Sequence, residues 1–119
     1  MQQRRLARFA ALDHVVVSRN GRRRKEVDTL LGTNGVKRNV LAVVPSFGVA
    51  LSIVARSDAN TVAPSRLATP LIDHGGLAQF VPPIELSTVI VSQHWHARNT
   101  ADPPHRWLRS CVQRAAATV

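Results

Sequence analysis

Two segments carry apolar side chains at consecutive positions. His14-Val15-Val16-Val17-Ser18 and Asn39-Val40-Leu41-Ala42-Val43-Val44 are rich in β-branched residues, which predicts strands buried on both faces. The first is closed by turn chemistry at Asn20-Gly21. Elsewhere the apolar positions recur at helical spacing. Leu6 to Leu12 predicts a short helix, and Glu26 to Leu31 a second that ends near Gly32 or Gly35, where glycine takes a left-handed cap. Ser46 after Pro45 is a good N-cap, so Phe47 to Ala55 reads as a helix. Thr61-Val62-Ala63 predicts a short third strand cut by Pro64, followed by a helix from about Ser65 to Leu71 and a turn at Asp73-His74-Gly75-Gly76. Leu77 to Val81 reads as a strand that Pro82-Pro83 leave as an extended linker. Val89 to Trp95 is the last predicted strand. Pro103 and Pro104 fit the first turn of a final helix running to about Ala117. Alternating strands and helices with continuous apolar strands imply an α/β fold around a mainly parallel sheet covered on both faces.

A chain of 119 residues fits one domain with a modest core, and 45% hydrophobic against 19% charged residues is a globular balance. The formal net charge of +9 changes the picture, because such a surface draws polyanions by counterion release. Arg4, Arg5 and Arg8 open the chain, and Arg22, Arg23, Arg24 and Lys25 form its only dense basic run. No aromatic residue accompanies that run and the chain has no Tyr, so a stacking platform for single strands is excluded. A small basic protein binding nucleic acid non-specifically through Arg22 to Lys25 and the Arg-rich N-terminus stands as one reading. Solvated basic turns are the other. Cys111 is the single cysteine, which excludes an internal disulfide and a multi-cysteine zinc site. Its place between Leu108 and Val112 predicts a small buried apolar role. The longest apolar stretches are too short for a bilayer span, and no signal peptide is recognisable. A cytoplasmic protein without a membrane partner is expected.

Candidate chemistry gathers at the ends of the predicted strands. In open α/β sheets, ligands sit beyond the carboxyl ends of strands, against helix N-termini. The first strand ends at Ser18 and the second at Val44, and the following helix exposes N–H groups near Ser46, Phe47 and Gly48. Two hydroxyls, the Phe47 ring, and Thr61, Ala63 and Pro64 at the next strand end would suit a small carboxylate or aromatic acid. Each residue also has a plain structural reading: Ser46 as a cap, Phe47 as core, Ser18 as a strand end. His94 and His96 share a strand face and His105 follows, but no carboxylate stands at motif spacing for a general base. Ordinary surface or hydrogen-bonded histidines are expected, with no metal and no cofactor. The chain has no Gly-x-Ser-x-Gly elbow, no phosphate loop and no spaced Cys-His pairing, so an enzyme is not expected.

An ordered set of segments carries a family likeness: His14-Val15-Val16-Val17-Ser18, Val44-Pro45-Ser46-Phe47, Ser57-Asp58, Pro64 with Arg66-Leu67-Ala68, Trp95-His96, Asp102-Pro103 and Trp107-Leu108-Arg109. In this order the chain, from about Leu6, resembles the C-terminal part of a LysR-type transcriptional regulator. The likeness is to the effector-binding domain, a two-lobed fold of the type 2 periplasmic-binding-protein kind. It implies one complete lobe at about residues 18–81, a return crossing at 82–88, and the C-terminal strand and helix of the other lobe at 89–117. It further implies a small-molecule effector held by Ser18, Pro45, Ser46, Phe47, Ala63 and Pro64, and a homo-oligomer. DNA contact would come only through a helix-turn-helix domain that this chain does not contain. The chain is therefore expected to be a truncated form, whether by gene truncation, a misplaced start or survival as a remnant.

Overall fold

A computed structural model describes residues 1–20 and 22–118, with the side chains of Arg22 and Arg23 outside the described set. The turn expected at Asn20-Gly21 thus falls partly outside the described residues. The elements in chain order are α1 (Gln2–Ala10), β1 (Asp13–Val17), α2 (Arg22–Thr33), β2 (Asn39–Val44), α3 (Phe47–Ala55), α4 (Ser65–Gly75) and α5 (Pro103–Ala117), with a 3-10 turn at Ala97–Asn99 before α5. The chain divides into two compact units, Met1–Ser87 and Thr88–Val119.

The first unit is built around β1. Its partner β2 runs parallel, with Val15 opposite Ala42 and Val17 opposite Val44, and the register shifts between His14 and Val15. Parallel pairing needs a crossover, which α2 supplies. Val15 and Val17 pack with Val44 against Ala50, Ile53 and Val54 of α3. A second cluster joins Leu6 and Phe9 of α1 to Val27 and Leu31 of α2, and Leu31 is fully buried. Burying each such side chain is worth about 1.5–3 kcal/mol, enough to fix two helices whose own propensity is modest. Helix α2 ends as its glycines predict. Gly35 adopts φ 69°, its N–H donates to Gly32 O, and the Val36 N–H reaches back to Leu31 O. Val36 packs on the cluster containing Leu31, which completes a Schellman stop. Gly76, at φ 67°, ends α4 in the same left-handed conformation, so Asp73 to Gly75 belong to the helix rather than to a turn.

Several expectations are corrected. Helix α1 begins at Gln2 and stops at Ala10, earlier than the apolar spacing indicated, and the Gln2 side chain in its polar first turn donates to Pro83 O. Helices α2 and α4 extend beyond their apolar cores for the same reason that caps, not patterns, stop helices. The third strand is reduced to a bridge between His14 and Asn60. Asn60 exchanges backbone bonds with Asp13 and Val15, but the next acceptor in the ladder, Val15 O, is taken by the Thr61 hydroxyl at 2.8 Å. Pro64 then offers no N–H. The strand expected over Leu77 to Val81 joins no ladder and stays irregular. Side chains tie that strap instead: Phe80 meets Phe9 edge-on, Ile84 and Leu86 pack on the α1–α2 cluster, and the Ser87 N–H donates to Glu26 Oε1. Coverage of the sheet is also uneven, since Leu41 and Val43 of β2 remain about half exposed.

The second unit contains α5, which starts where the prolines indicated, with Asp102 Oδ2 accepting the His105 N–H. The strand expected over Val89 to Trp95 does not form. A strand needs a partner edge, and Ile90 and Val91 are over 80% exposed. Cys111 is half-buried rather than buried, and an Arg114 guanidinium N–H points at its sulfur.

His14 is the most consequential polar group in the core. It is 1% exposed, lies edge-on to Phe9, and its Nε2 donates to Phe9 O at the C-terminal end of α1, a carbonyl that also accepts the Leu12 N–H. Nδ1 has no partner among the described residues. Burial holds the imidazole below its ordinary value of 6.5, and the nearby Arg38 cation, itself bound to Asp28 at 2.6 Å, adds to that effect. The unfolded chain binds a proton at this position more readily than the folded one. Stability contributed by neutral His14 is therefore complete above about pH 6.5 and is lost as the pH falls below that value. Urea unfolding of the first unit should show a midpoint that drops between pH 7 and pH 5, and His14→Gln should flatten that dependence. A midpoint equally pH-dependent in the variant would contradict the assignment.

Candidate functional site

The candidate site follows from chain direction. β1 and β2 are parallel, and the bridge at Asn60 is parallel too, so three successive segments run the same way. Each is followed by a helix: β1 by α2, β2 by α3, and the Asn60 segment by α4. Three helix N-termini therefore lie at one end of the sheet, and none has an acidic residue in its first turn. Helix N-termini carry unsatisfied N–H donors and the positive end of the macrodipole, so this end of the unit favours anions.

The Ser18 N–H donates to Val44 O at 3.0 Å, which ties the carboxyl ends of β1 and β2 together and brings Ser18 beside the Pro45-Ser46-Phe47 turn. Ser46 is extended, at φ −142° and ψ 140°, and its Oγ accepts the Val49 N–H at 3.3 Å. The Ser46 carbonyl accepts from Ala50. Ser46 thus acts as a cap in this structure. Its bond satisfies the third amide of α3, and the amides of Phe47 and Gly48 are left pointing out of the helix, without an acceptor among the described residues. Pro45 and Ser46 are exposed and Phe47 is half-buried, so the ring serves partly as core and partly as surface. Pro64 is the N-cap of α4 and offers no side-chain bond, but its carbonyl holds the amides of Leu67 and Ala68.

Ala63 has a second neighbourhood. It lines an open cavity of about 810 Å³ between α3, α4 and the 77–86 strap, with Leu51, Val54, Ile72 and Phe80 among its walls. Ser18, Pro45, Ser46, Phe47 and Pro64 are not part of that wall. Sequence reasoning missed this cavity, because it exists where two expected strands do not pair, and residue pattern carries no signal of a missing partner. Of the basic run, Arg24 lies against Asp28 at 3.7 Å and Lys25 is exposed, whereas the side chains of Arg22 and Arg23 are outside the described residues.

In the second unit the residues around the histidines form a knot. Arg109 donates to Asn99 O at 3.0 Å and Thr100 O at 2.8 Å, stacks 4.4 Å from the Trp95 ring centre, and reaches His105 Nδ1. Trp95 Nε1 donates to the Thr100 hydroxyl, and His96 Nδ1 accepts the Arg98 N–H. These bonds orient the loop before α5. Among the described residues no group of three His, Cys, Asp or Glu side chains gathers around a point where a metal could sit. Nothing in the spacing of Trp95 and Arg109 announced their contact.

A family model described as the LysR substrate binding domain matches residues 2–117. The chain belongs to this family. Membership places its α/β fold with the periplasmic-binding-protein-like domains. The chain is 39% identical over 108 residues to the HTH-type transcriptional regulator LinR of Sphingobium indicum, covering 89% of this chain and 36% of that protein. It is 37% identical over 117 residues to the HTH-type transcriptional regulator SyrM of Rhizobium meliloti, covering 92% of this chain and 34% of SyrM. With the HTH-type transcriptional activator NahR of Pseudomonas putida it shares 33% identity over 107 residues, 90% of this chain and 36% of NahR. This LysR-family chain thus spans about a third of the length of these relatives, all named as regulators of transcription rather than as enzymes. Among the described residues no helix is long and apolar enough to cross a membrane.

The cap has a measurable weight. Ser46→Ala should lower the unfolding free energy of the first unit by about 1 kcal/mol, and Ser46→Asp should restore most of it, since both serine and aspartate accept the Val49 N–H. Urea titration checks this. Equal losses in both variants would remove the capping role.

Proposed function

We propose that this chain is the effector-sensing part of a LysR-type transcriptional regulator and that it holds a small carboxylate, with an aromatic acid as the preferred class, at the carboxyl ends of β1 and β2. The observation that carries the reading is the meeting of three helix N-termini at that end in a chain of the LysR substrate-binding family. The carboxylate accepts from the Phe47 and Gly48 amides and is attracted by the α3 macrodipole. Ser18 and Ser46 shape the polar side of the site, the Phe47 ring supplies an apolar wall, and Ala63 and Pro64 bound it from the α4 side. In the two-lobed arrangement that the family implies, residues 18–81 belong to the second lobe, 82–88 to the return crossing, and 89–117, with α5, to the first lobe.

The whole regulator would read the effector by unequal affinity for two arrangements of an oligomer on DNA, the DNA being held by a helix-turn-helix domain outside this chain. The exposed Ile90, Val91, Trp107 and Leu108 of the second unit support self-association, because apolar surface of this kind is covered in a working assembly.

Thermal unfolding against a panel of small aliphatic and aromatic acids tests the reading. A matched acid at a hundredfold excess over its Kd should stabilise the first unit by about 2.7 kcal/mol. Phe47→Ala should weaken the response. Ser46→Asp should abolish it while keeping the fold intact, since the capping carboxylate sets a negative charge beside the amides that the effector needs. Stabilisation that persists in Ser46→Asp, or no response to any acid, would overturn the assignment.

A further inference from the structure

Helix α1 presents a basic face for which the sensing site has no use. Arg4, Arg5 and Arg8 are exposed, whereas Leu6, Phe9 and Ala10 turn inward to the core. Arg4 and Arg8 lie one turn apart, about 6 Å along the axis, with Arg5 beside them. Helix α1 contains no acidic residue, and the ion pairs seen among the described residues, Arg24–Asp28 and Arg38–Asp28, involve none of these three arginines. Other arginines differ in this respect: Arg38 and Arg24 share Asp28, and Arg109 is spent on two carbonyls and the Trp95 ring. The helix is held rigidly at both ends, by Gln2 on Pro83 O and by His14 on Phe9 O.

We propose that the Arg4-Arg5-Arg8 face of α1 binds the phosphate backbone of duplex nucleic acid. Three guanidinium forks on a fixed helix match phosphate oxygens, and a net charge of +9 supplies long-range attraction. The chemistry selects this partner over others. The apolar side of α1 is buried, so nothing remains to insert into a lipid surface. No aromatic side chain stands on the exposed side, so bases of a single strand have nothing to stack on. Nor does that side offer the apolar centre that a protein interface uses. The contact is sequence-independent, acts in addition to any base-reading domain, and does not depend on the effector site.

Anisotropy of a labelled random-sequence duplex, measured with the whole chain across a salt series, tests it. The slope of log K against log salt should become shallower by about 2.7 in Arg4→Gln/Arg5→Gln/Arg8→Gln, three phosphates at about 0.9 each. A control triple, Arg56→Gln/Arg98→Gln/Arg106→Gln, removes the same charge elsewhere and should change the slope by less than one phosphate's share. Single substitutions in α1, each expected to remove about 0.9, carry the test if the triple variant does not fold. Equal losses in the two triples, or no duplex binding by the unaltered chain, would overturn the proposal. Equally tight capture of polyglutamate through the same three arginines would overturn the assignment to nucleic acid.

Discussion

The first unit depends on one strand being enclosed from four directions. β1 pairs with β2 along one edge and meets Asn60 on the other. α3 packs on the face carrying Val15 and Val17, and His14 on the other face is closed over by Phe9 of α1. Among the described residues no other strand has this coverage, since β2 leaves Leu41 and Val43 half exposed. A β-branched run without polar interruption is what such a position requires, and the one polar residue inside it, His14, is tolerated because its ring donates to a helix-end carbonyl. Replacing that bond by a charge would set two cations, His14 and Arg38, in the same low-dielectric space.

The candidate site inherits its geometry from this strand. Parallel pairing on one edge and a parallel bridge on the other make three helices begin at the same end, and the Ser18–Val44 bond joins the first two strand ends. Ser46 then divides the amides of α3: Val49 is satisfied by its hydroxyl, and Phe47 and Gly48 are the ones the proposed ligand would use. The same residue is the structural cap and lies beside the proposed site. The two readings of Ser46 that the sequence leaves open are compatible in the folded chain.

Local signals in the sequence were reliable where local bonds decide the outcome. The bounds of β2 and α3, the cap at Ser46, the left-handed stop at Gly35 and the proline start of α5 all agree with the structure, because each rests on bonds within a few residues. Expectations failed where a distant partner decides. Thr61 to Ala63 has the composition of a strand, but its own hydroxyl takes the ladder's next acceptor. Val89 to Trp95 has the right apolar content but pairs with no strand among the described residues. The first turn of α1 meets a carbonyl at Pro83, far along the chain, and the Arg109 knot rests on a ring fourteen positions before it. The family likeness was readable because it rests on the order of many segments rather than on any one contact. The candidate ligand residues rest on the rule that α/β sheets bind beyond strand ends, which names a place and not a contact.

The sensing reading places an anion at two amides, and the most direct test is to watch them. Amide-resolved NMR of the isotopically labelled chain, titrated with benzoate as the simplest aromatic carboxylate, would follow Phe47 and Gly48 together with residues of the 810 Å³ cavity such as Val62 and Phe80. Saturable shifts centred on Phe47 and Gly48, with smaller changes at Ser18, are the predicted result. Shifts confined to the cavity, or to Arg4 through Arg8, would contradict the account.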